Sequence, residues 1–275
     1  QESGHSKTLD DSRNRGLRRM KHNSSLTGLV QMLLFLMASV LLPVALLGCR
    51  TGPRPLRVFV ASSFTAVAQD IAKEYAGRYP NTTVDINVAG SGTLVSQIQE
   101  GARADLIILA SPHHMRQLQA TSTVLQPTIV ARNSLTIVLS PRLADTVTSV
   151  DDIRKGDFQI AICVVTAPCG TLALTYASSM KIDISGATRE PNVKAVLAKV
   201  EGDEVDIGFV YISDLQSTKV DLGHLDASNA AELSTSYHLA VTANSSRRQD
   251  AERFAALFAE EAGKNTILNF GFQLP

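Results

Sequence analysis

From Leu56 onward the chain repeats one unit: an apolar, β-branched run, a short loop of small and hydroxyl residues, then an amphipathic stretch. Leu56–Ala61 (LRVFVA) suits a buried strand, and Ala66–Tyr79 places Val67, Ile71 and Tyr75 on one helical face before Pro80-Asn81 ends it. Val84, Ile86 and Val88 alternate as a second strand, and Gly90-Ser91-Gly92 opens a helix carrying Leu94 and Ile98. Asp105–Leu109 is a third strand, with Ser111-Pro112 starting the helix after it. A second set follows, with strands at Ser134–Leu139, Gln159–Cys163, Asp206–Val210 and Leu239–Thr242. Its helices start near Ser149 and cover Gly170–Met180, Val193–Val200 and Gln249–Gly263. Strands and helices alternating at this spacing predict an α/β fold built on parallel sheet.

Charge and composition narrow what such a body can do. The chain carries 26 basic and 26 acidic side chains, and residues 1–49 hold six of the basic and three of the acidic ones. Removing them leaves 20 and 23, so residues 50–275 are mildly acidic at net −3. That composition lacks the cationic excess a nucleic-acid binder needs, and with Trp absent it lacks an aromatic stacking platform for single strands. Between Lys21 and Arg50 no Lys, Arg, Asp or Glu interrupts a stretch rich in Leu, Val, Met and Ala. Basic residues precede it, as in a signal peptide covering about 20–48, although it is long enough to span a bilayer. Leu46-Leu47-Gly48-Cys49 resembles a bacterial lipobox, which marks Cys49 for lipidation with cleavage before it. An uncleaved anchor is the alternative, and both place the body outside the cytoplasm. Residues 50–55 read as a linker.

Cys163 and Cys169 remain in the body. In an oxidising compartment so close a pair reads as a structural disulfide, the alternative being a redox pair, although the spacing is not C-x-x-C. Three loops, Ser62-Ser63, Gly90-Ser91-Gly92 and Ala167-Pro168-Cys169-Gly170, follow a strand and precede a helix, and none carries a charged side chain or His. In an open α/β sheet this carboxyl edge is where ligands bind, and free N–H groups at helix starts favour an anion there. His113-His114 is a weak metal pair, since neighbours on a helix face different ways and no further ligands accompany them. Ser63 and Ser91 are the candidate nucleophiles of a hydrolase, but no G-x-S-x-G elbow surrounds either, and His238 lacks an evident orienting acid. No P-loop or dinucleotide fingerprint is present.

Read together, several segments resemble the molybdate-binding proteins of ABC transporters. They are Val60–Thr65, Ala89–Leu94, Gly101–Leu106, Asn133-Ser134-Leu135, Pro168-Cys169-Gly170, Asn192-Val193-Lys194, Ile207–Asp214 and Gly271-Phe272, in the family's order from Leu56 to the end. The cysteine pair looks like the actinobacterial branch of that family. The resemblance implies a type II periplasmic-binding-protein fold, with two α/β lobes joined by two crossing segments and a ligand cleft between them. The expected lobes are residues 56–133 plus 243–275, and 134–242. It further implies that Ser63 and Ser91 offer hydroxyl and backbone donors, Cys169 (where the family commonly has Ala) and Val193 their backbone N–H, and Tyr211 its phenol. Ser62 and Thr65 are possible auxiliaries. Without the resemblance, Tyr211 reads equally as an aromatic at the core edge and Val193 as a packing residue. The implied function is capture of molybdate, or tungstate, for an ABC permease and its ATPase by a lipid-anchored monomer. No cofactor, catalysis or nucleic acid is implied. The alternatives are the same fold holding sulfate or another small anion, and a membrane-anchored serine hydrolase.

Overall fold

The computed structural model describes residues 54–225 and 233–275. The expected signal peptide, Cys49 and most of the linker lie outside the described residues. Among the described residues no helix is long and apolar enough to cross a membrane.

The elements in chain order are β1 (Leu56–Ala61), a 3-10 turn (Ser62–Phe64), α1 (Thr65–Arg78), β2 (Val84–Ala89), α2 (Ser91–Gln99), β3 (Leu106–Leu109), α3 (Pro112–Ala120) and β4 (Thr128–Leu139). Then come α4 (Val150–Lys155), β5 (Ile160–Cys163), α5 (Pro168–Met180), β6 (Thr188–Glu190), α6 (Val193–Glu201), β7 (Ile207–Tyr211), α7 (Ile212–Ser217) and β8 (Gly223–Leu225). The chain closes with β9 (Ser234–Val241), α8 (Arg248–Leu257) and α9 (Glu261–Asn269). The strands run in the order β2-β1-β3-β9-β4-β7-β5-β6, with β8 paired to β4.

The sheet is mixed, which corrects the expectation of a parallel one. Pairs β1–β2, β1–β3, β5–β6 and β5–β7 are parallel, as their crossover helices require. The middle is antiparallel: β9 runs against β3 and β4, and β4 runs against β7. β4 is a strap between two halves. Its residues Thr128–Ser134 pair with β9, and Leu135–Leu139 pair with β7. The first half of β4 escapes a sequence reading because Arg132-Asn133 interrupts its apolar pattern.

Two groups of core residues sit on either side of this strap. Around β1–β3 the core takes Val58, Val60, Phe64, Ile71 and Tyr75 on one face and Phe59, Leu94, Ile107 and Met115 on the other. Around β5–β7 it takes Leu135, Ile137, Ile162, Val196, Phe209 and Tyr211. β9, expected within the second lobe, lends Tyr237, Leu239 and Val241 to the first core. The expected final helix is two helices. Glu260 is extended at φ −73°, ψ 160°, and α9 folds back so closely that a side chain at Gly263 would overlap the Leu257 carbonyl.

Each parallel set ends its strands at one edge. Ala61 is level with Ala89 in register, and β5, β6 and β7 finish at Cys163, Glu190 and Tyr211. The loops leaving those ends are the ones the sequence singles out.

Candidate functional site

Five helical segments begin at a single small cavity. The residues that cap them, Ala61, Gly90, Ala167, Asn192 and Tyr211, all line it, as do Ser62, Ser63, Ser91, Pro168, Cys169 and Val193. No lining residue is Lys, Arg, Asp, Glu or His. First-turn N–H groups have no partner within their helix, and the starts at Ala61, Gly90 and Ala167 have no side chain capping them. At α6 the Asn192 side chain takes the Ala195 N–H at 3.1 Å, which leaves Val193 N–H uncapped by it. At α5, Pro168 in the first turn has no N–H, so Cys169 supplies the first one. The positive ends of these helix dipoles therefore meet in one place, a setting that favours negative charge.

The hydroxyl groups of Ser63, Ser91 and Tyr211 belong to the cavity lining. Ser91 Oγ already accepts the Ala110 N–H at 3.0 Å, leaving its own proton to give away. Ser63 Oγ lies 2.7 Å from the Tyr237 phenol oxygen. Tyr211 is 2% exposed, and its phenol oxygen has no protein hydrogen-bond partner. Burial pushes the Tyr211 phenol well above the usual tyrosine value, with the neighbouring Tyr237 and Asp214 adding to the shift. A buried hydroxyl without a partner is costly, and here it belongs to the cavity lining.

Charge stands one layer behind. Asp214 is fully buried, accepts the Tyr211 N–H at 3.2 Å, and has Lys194 Nζ 2.8 Å from its other oxygen, off the line of a hydrogen bond. Burial raises the Asp214 carboxyl above the ordinary range, and Lys194 pulls it partly back. The pair fixes the start of α7, and so Tyr211, without placing an ion in the cavity wall.

The two halves meet backbone to backbone here. A Cβ at Gly90 would stand 2.8 Å from the Pro191 carbonyl oxygen, and one at Gly92 would overlap the Thr166 carbonyl. The Cys163–Cys169 disulfide closes the loop that presents the Cys169 N–H. The structure thus brings Ser63, Ser91, Cys169, Val193 and Tyr211 together around one cavity. Ser62 also lines it, whereas Thr65 turns back to the Ser62 carbonyl at 2.7 Å.

Other singled-out residues fall elsewhere. His113 and His114 line a larger, open cleft beside the cavity, and among the described residues no three metal-ligating side chains cluster. His238 bonds Ser236 at 2.9 Å. Neither Ser63 nor Ser91 has a basic side chain as its hydrogen-bond partner. Asp105 is structural: it accepts the Arg57 N–H at 3.0 Å and the Ser245 hydroxyl at 2.8 Å. Sequence reasoning gave no site role to Tyr237, or to the lining residue Asn192, although Asn192 stands in one of the segments that carry the resemblance. An Asn directly before an apolar helical run is a capping signal and could have drawn attention to Asn192.

Two α/β lobes strapped by crossing strands, with a neutral, donor-rich cavity where they meet, define a cleft-type solute-binding architecture. The chain belongs to the bacterial extracellular solute-binding protein family, whose pattern it matches over residues 56–273. It is similar to the molybdate-binding protein ModA of Mycobacterium tuberculosis, with 27% identity over 229 residues, 83% of this chain and 88% of that protein. The substrate-binding domain of a putative molybdenum ABC transporter from Clostridium difficile has a similar structure, with TM-score 0.60, 25% identity, and 80% and 99% of the two chains covered. The fold alone is shared with the sulfate-binding protein SubI of M. tuberculosis, at TM-score 0.65 and 13% identity, over 81% and 87% of the two chains. Membership of this family places the body outside the cytoplasm.

Proposed function

We propose that this chain is the substrate-binding component of an ABC importer for molybdate, with tungstate as the closely similar second ligand. The observation that carries the reading is the cavity lining: it offers N–H and O–H donors from both lobes and no ionisable acid or base. Molybdate is a fully deprotonated dianion at neutral pH, so donors alone satisfy it. Hydrogen phosphate carries a proton that needs an acceptor, and the acceptor side of the Ser91 hydroxyl is already met from behind by the Ala110 N–H. The resemblance of the chain to proteins named for molybdate supports the choice of ligand.

In this reading Ser63 and Ser91 hold the oxyanion from one lobe, while Cys169 N–H, Val193 N–H and the Tyr211 hydroxyl hold it from the other. Only the closed arrangement presents both sets, so the ligand favours closure by its differential affinity. Gly90 and Gly92 allow the loops to close, because any side chain there would meet a carbonyl of the opposite lobe. Lipidation at Cys49 would keep the monomeric body at the membrane, beside the permease and ATPase that receive the ligand.

Sulfate is the specific alternative, since it too is a donor-only ligand and its binding protein SubI shares the fold. The two differ in size, sulfate being smaller. Equilibrium dialysis of the purified protein against molybdate, with metal analysis of the retained fraction, tests the reading. One molybdenum per chain, undiminished by a large excess of sulfate, supports it. No retained molybdenum refutes it.

A further inference from the structure

We propose that Tyr237 is a positioning residue for oxyanion binding: its phenol donates to Ser63 Oγ and so compels the Ser63 proton to point at the ligand. The proposal rests on the anion-binding reading above and adds a residue outside the cavity lining.

A serine hydroxyl has one proton and can face an anion in two ways. If its proton goes to the anion, the contact is attractive. If its proton goes elsewhere, lone pairs face negative charge and the contact repels. Ser91 is held in the useful state by the Ala110 N–H, which occupies its acceptor side. Ser63 has no backbone N–H in that role; its partner is the Tyr237 phenol at 2.7 Å. The phenol is itself a donor and acceptor, so something must hold it in the donating state.

The surroundings of Tyr237 do this. It is fully buried, with its ring 4.9 Å from Phe64, 5.2 Å from Phe272 and 6.5 Å from Tyr211, centroid to centroid. Burial drives its ionisation far above neutral, so the proton stays on the phenol. The hydrogen bond with Ser63 works against that rise only in part. Among the described residues Ser63 Oγ is the one hydrogen-bond partner of the phenol. If the phenol accepted there, its own proton would be stranded in the core, so it donates, and the Ser63 proton is left for the ligand.

A double-mutant cycle on the full chain tests this, with molybdate as the probe. Tyr237→Phe keeps the ring and removes the donor. In the wild-type background it should raise the dissociation constant roughly 5- to 20-fold, and in a Ser63→Ala background less than about twofold, because the proton it directs is gone. Any general loss of packing enters both backgrounds equally and cancels. As a second readout, Tyr237→Phe frees Ser63 to accept, so affinity for dihydrogen phosphate at pH 6 should fall less than that for molybdate. Equal losses in both backgrounds, or equal losses for both anions, overturn the proposal while leaving the anion site standing. A wild-type protein that binds no tetrahedral oxyanion removes the underlying reading, and the proposal with it.

Discussion

Replacing Tyr211 with Phe should move stability and affinity in opposite directions. The Tyr211 ring is buried at 2% exposure, and its hydroxyl meets no protein partner. Such a group costs about 1–3 kcal/mol in the unliganded protein. Phe keeps the ring and discards the orphan hydroxyl, so the ligand-free variant should be more stable by that amount. For a domain of this size each kcal/mol corresponds to roughly 2–4 °C, so the ligand-free melting temperature should rise by about 2–12 °C. With the oxyanion bound, the same hydroxyl becomes a charge-assisted donor. Losing it removes about 1.5–3 kcal/mol of binding, or roughly 10- to 150-fold in affinity. Scanning calorimetry with and without molybdate reads both effects. Because ligand stabilises by mass action, the wild type should overtake the variant as molybdate is raised. A ligand-free melting temperature that falls, or an affinity unchanged within about twofold, would mean that the Tyr211 hydroxyl is not an unpaired group held for the ligand.

Ser91→Ala should behave differently, because it strands the buried Ala110 N–H as well as removing a ligand donor. Ligand-free stability should drop by about 1–2 kcal/mol in denaturant titration, and affinity should fall at least about tenfold. Gly92→Ala places a methyl group against the Thr166 carbonyl of the other lobe, so molybdate binding should be lost while circular dichroism stays native. Retained affinity in that variant would mean the lobes need not approach so closely. Opening the Cys163–Cys169 bond with a dithiol releases a short loop; the expected cost is about 2 kcal/mol of stability, with weaker binding through the Cys169 N–H. Burial holds the His114 and His238 imidazoles below the ordinary value, helped at His114 by His113 and at His238 by Arg116. The folded chain therefore takes up these protons less readily than the unfolded one, so their contribution is complete above about pH 6.5 and lost as pH falls through the lowered values. The melting temperature should decline from pH 7 to pH 5, and a His114→Gln, His238→Gln variant should show a flatter profile.

What could be read from the sequence was local. Ser63, Ser91, Cys169 and Val193 lie just after strand ends at helical starts, and Tyr211 ends β7 as the cap of α7; the residues around them carry that signal in small side chains and caps. Their convergence depends on parallel strands ending at one edge, which the strand–helix alternation already implies. Tyr237 could not be found this way. It sits inside a strand, two residues from polar Thr235 and one from His238, with nothing local to distinguish it from a core tyrosine. Its meaning comes from β9 running antiparallel between β3 and β4, a pairing between segments more than a hundred residues apart. The same non-local pairing is why the sheet is mixed, and why the polar start of β4 is a strand at all. The edge strand β6, Thr-Arg-Glu, was missed because it is short and offers no apolar pattern. The break between α8 and α9 is set by tight backbone contact at Gly263, which helical periodicity does not report.

A neutral, donor-only cavity should select a fully deprotonated tetrahedral oxyanion of molybdate size. Isothermal titration of the purified protein with molybdate, and separately with sulfate and phosphate, tests it most directly. One-to-one molybdate binding is expected, tight enough to saturate at micromolar ligand, with sulfate and phosphate both much weaker. Phosphate binding as tight as molybdate would contradict the donor-only reading, and no molybdate heat from a folded protein would contradict the choice of ligand.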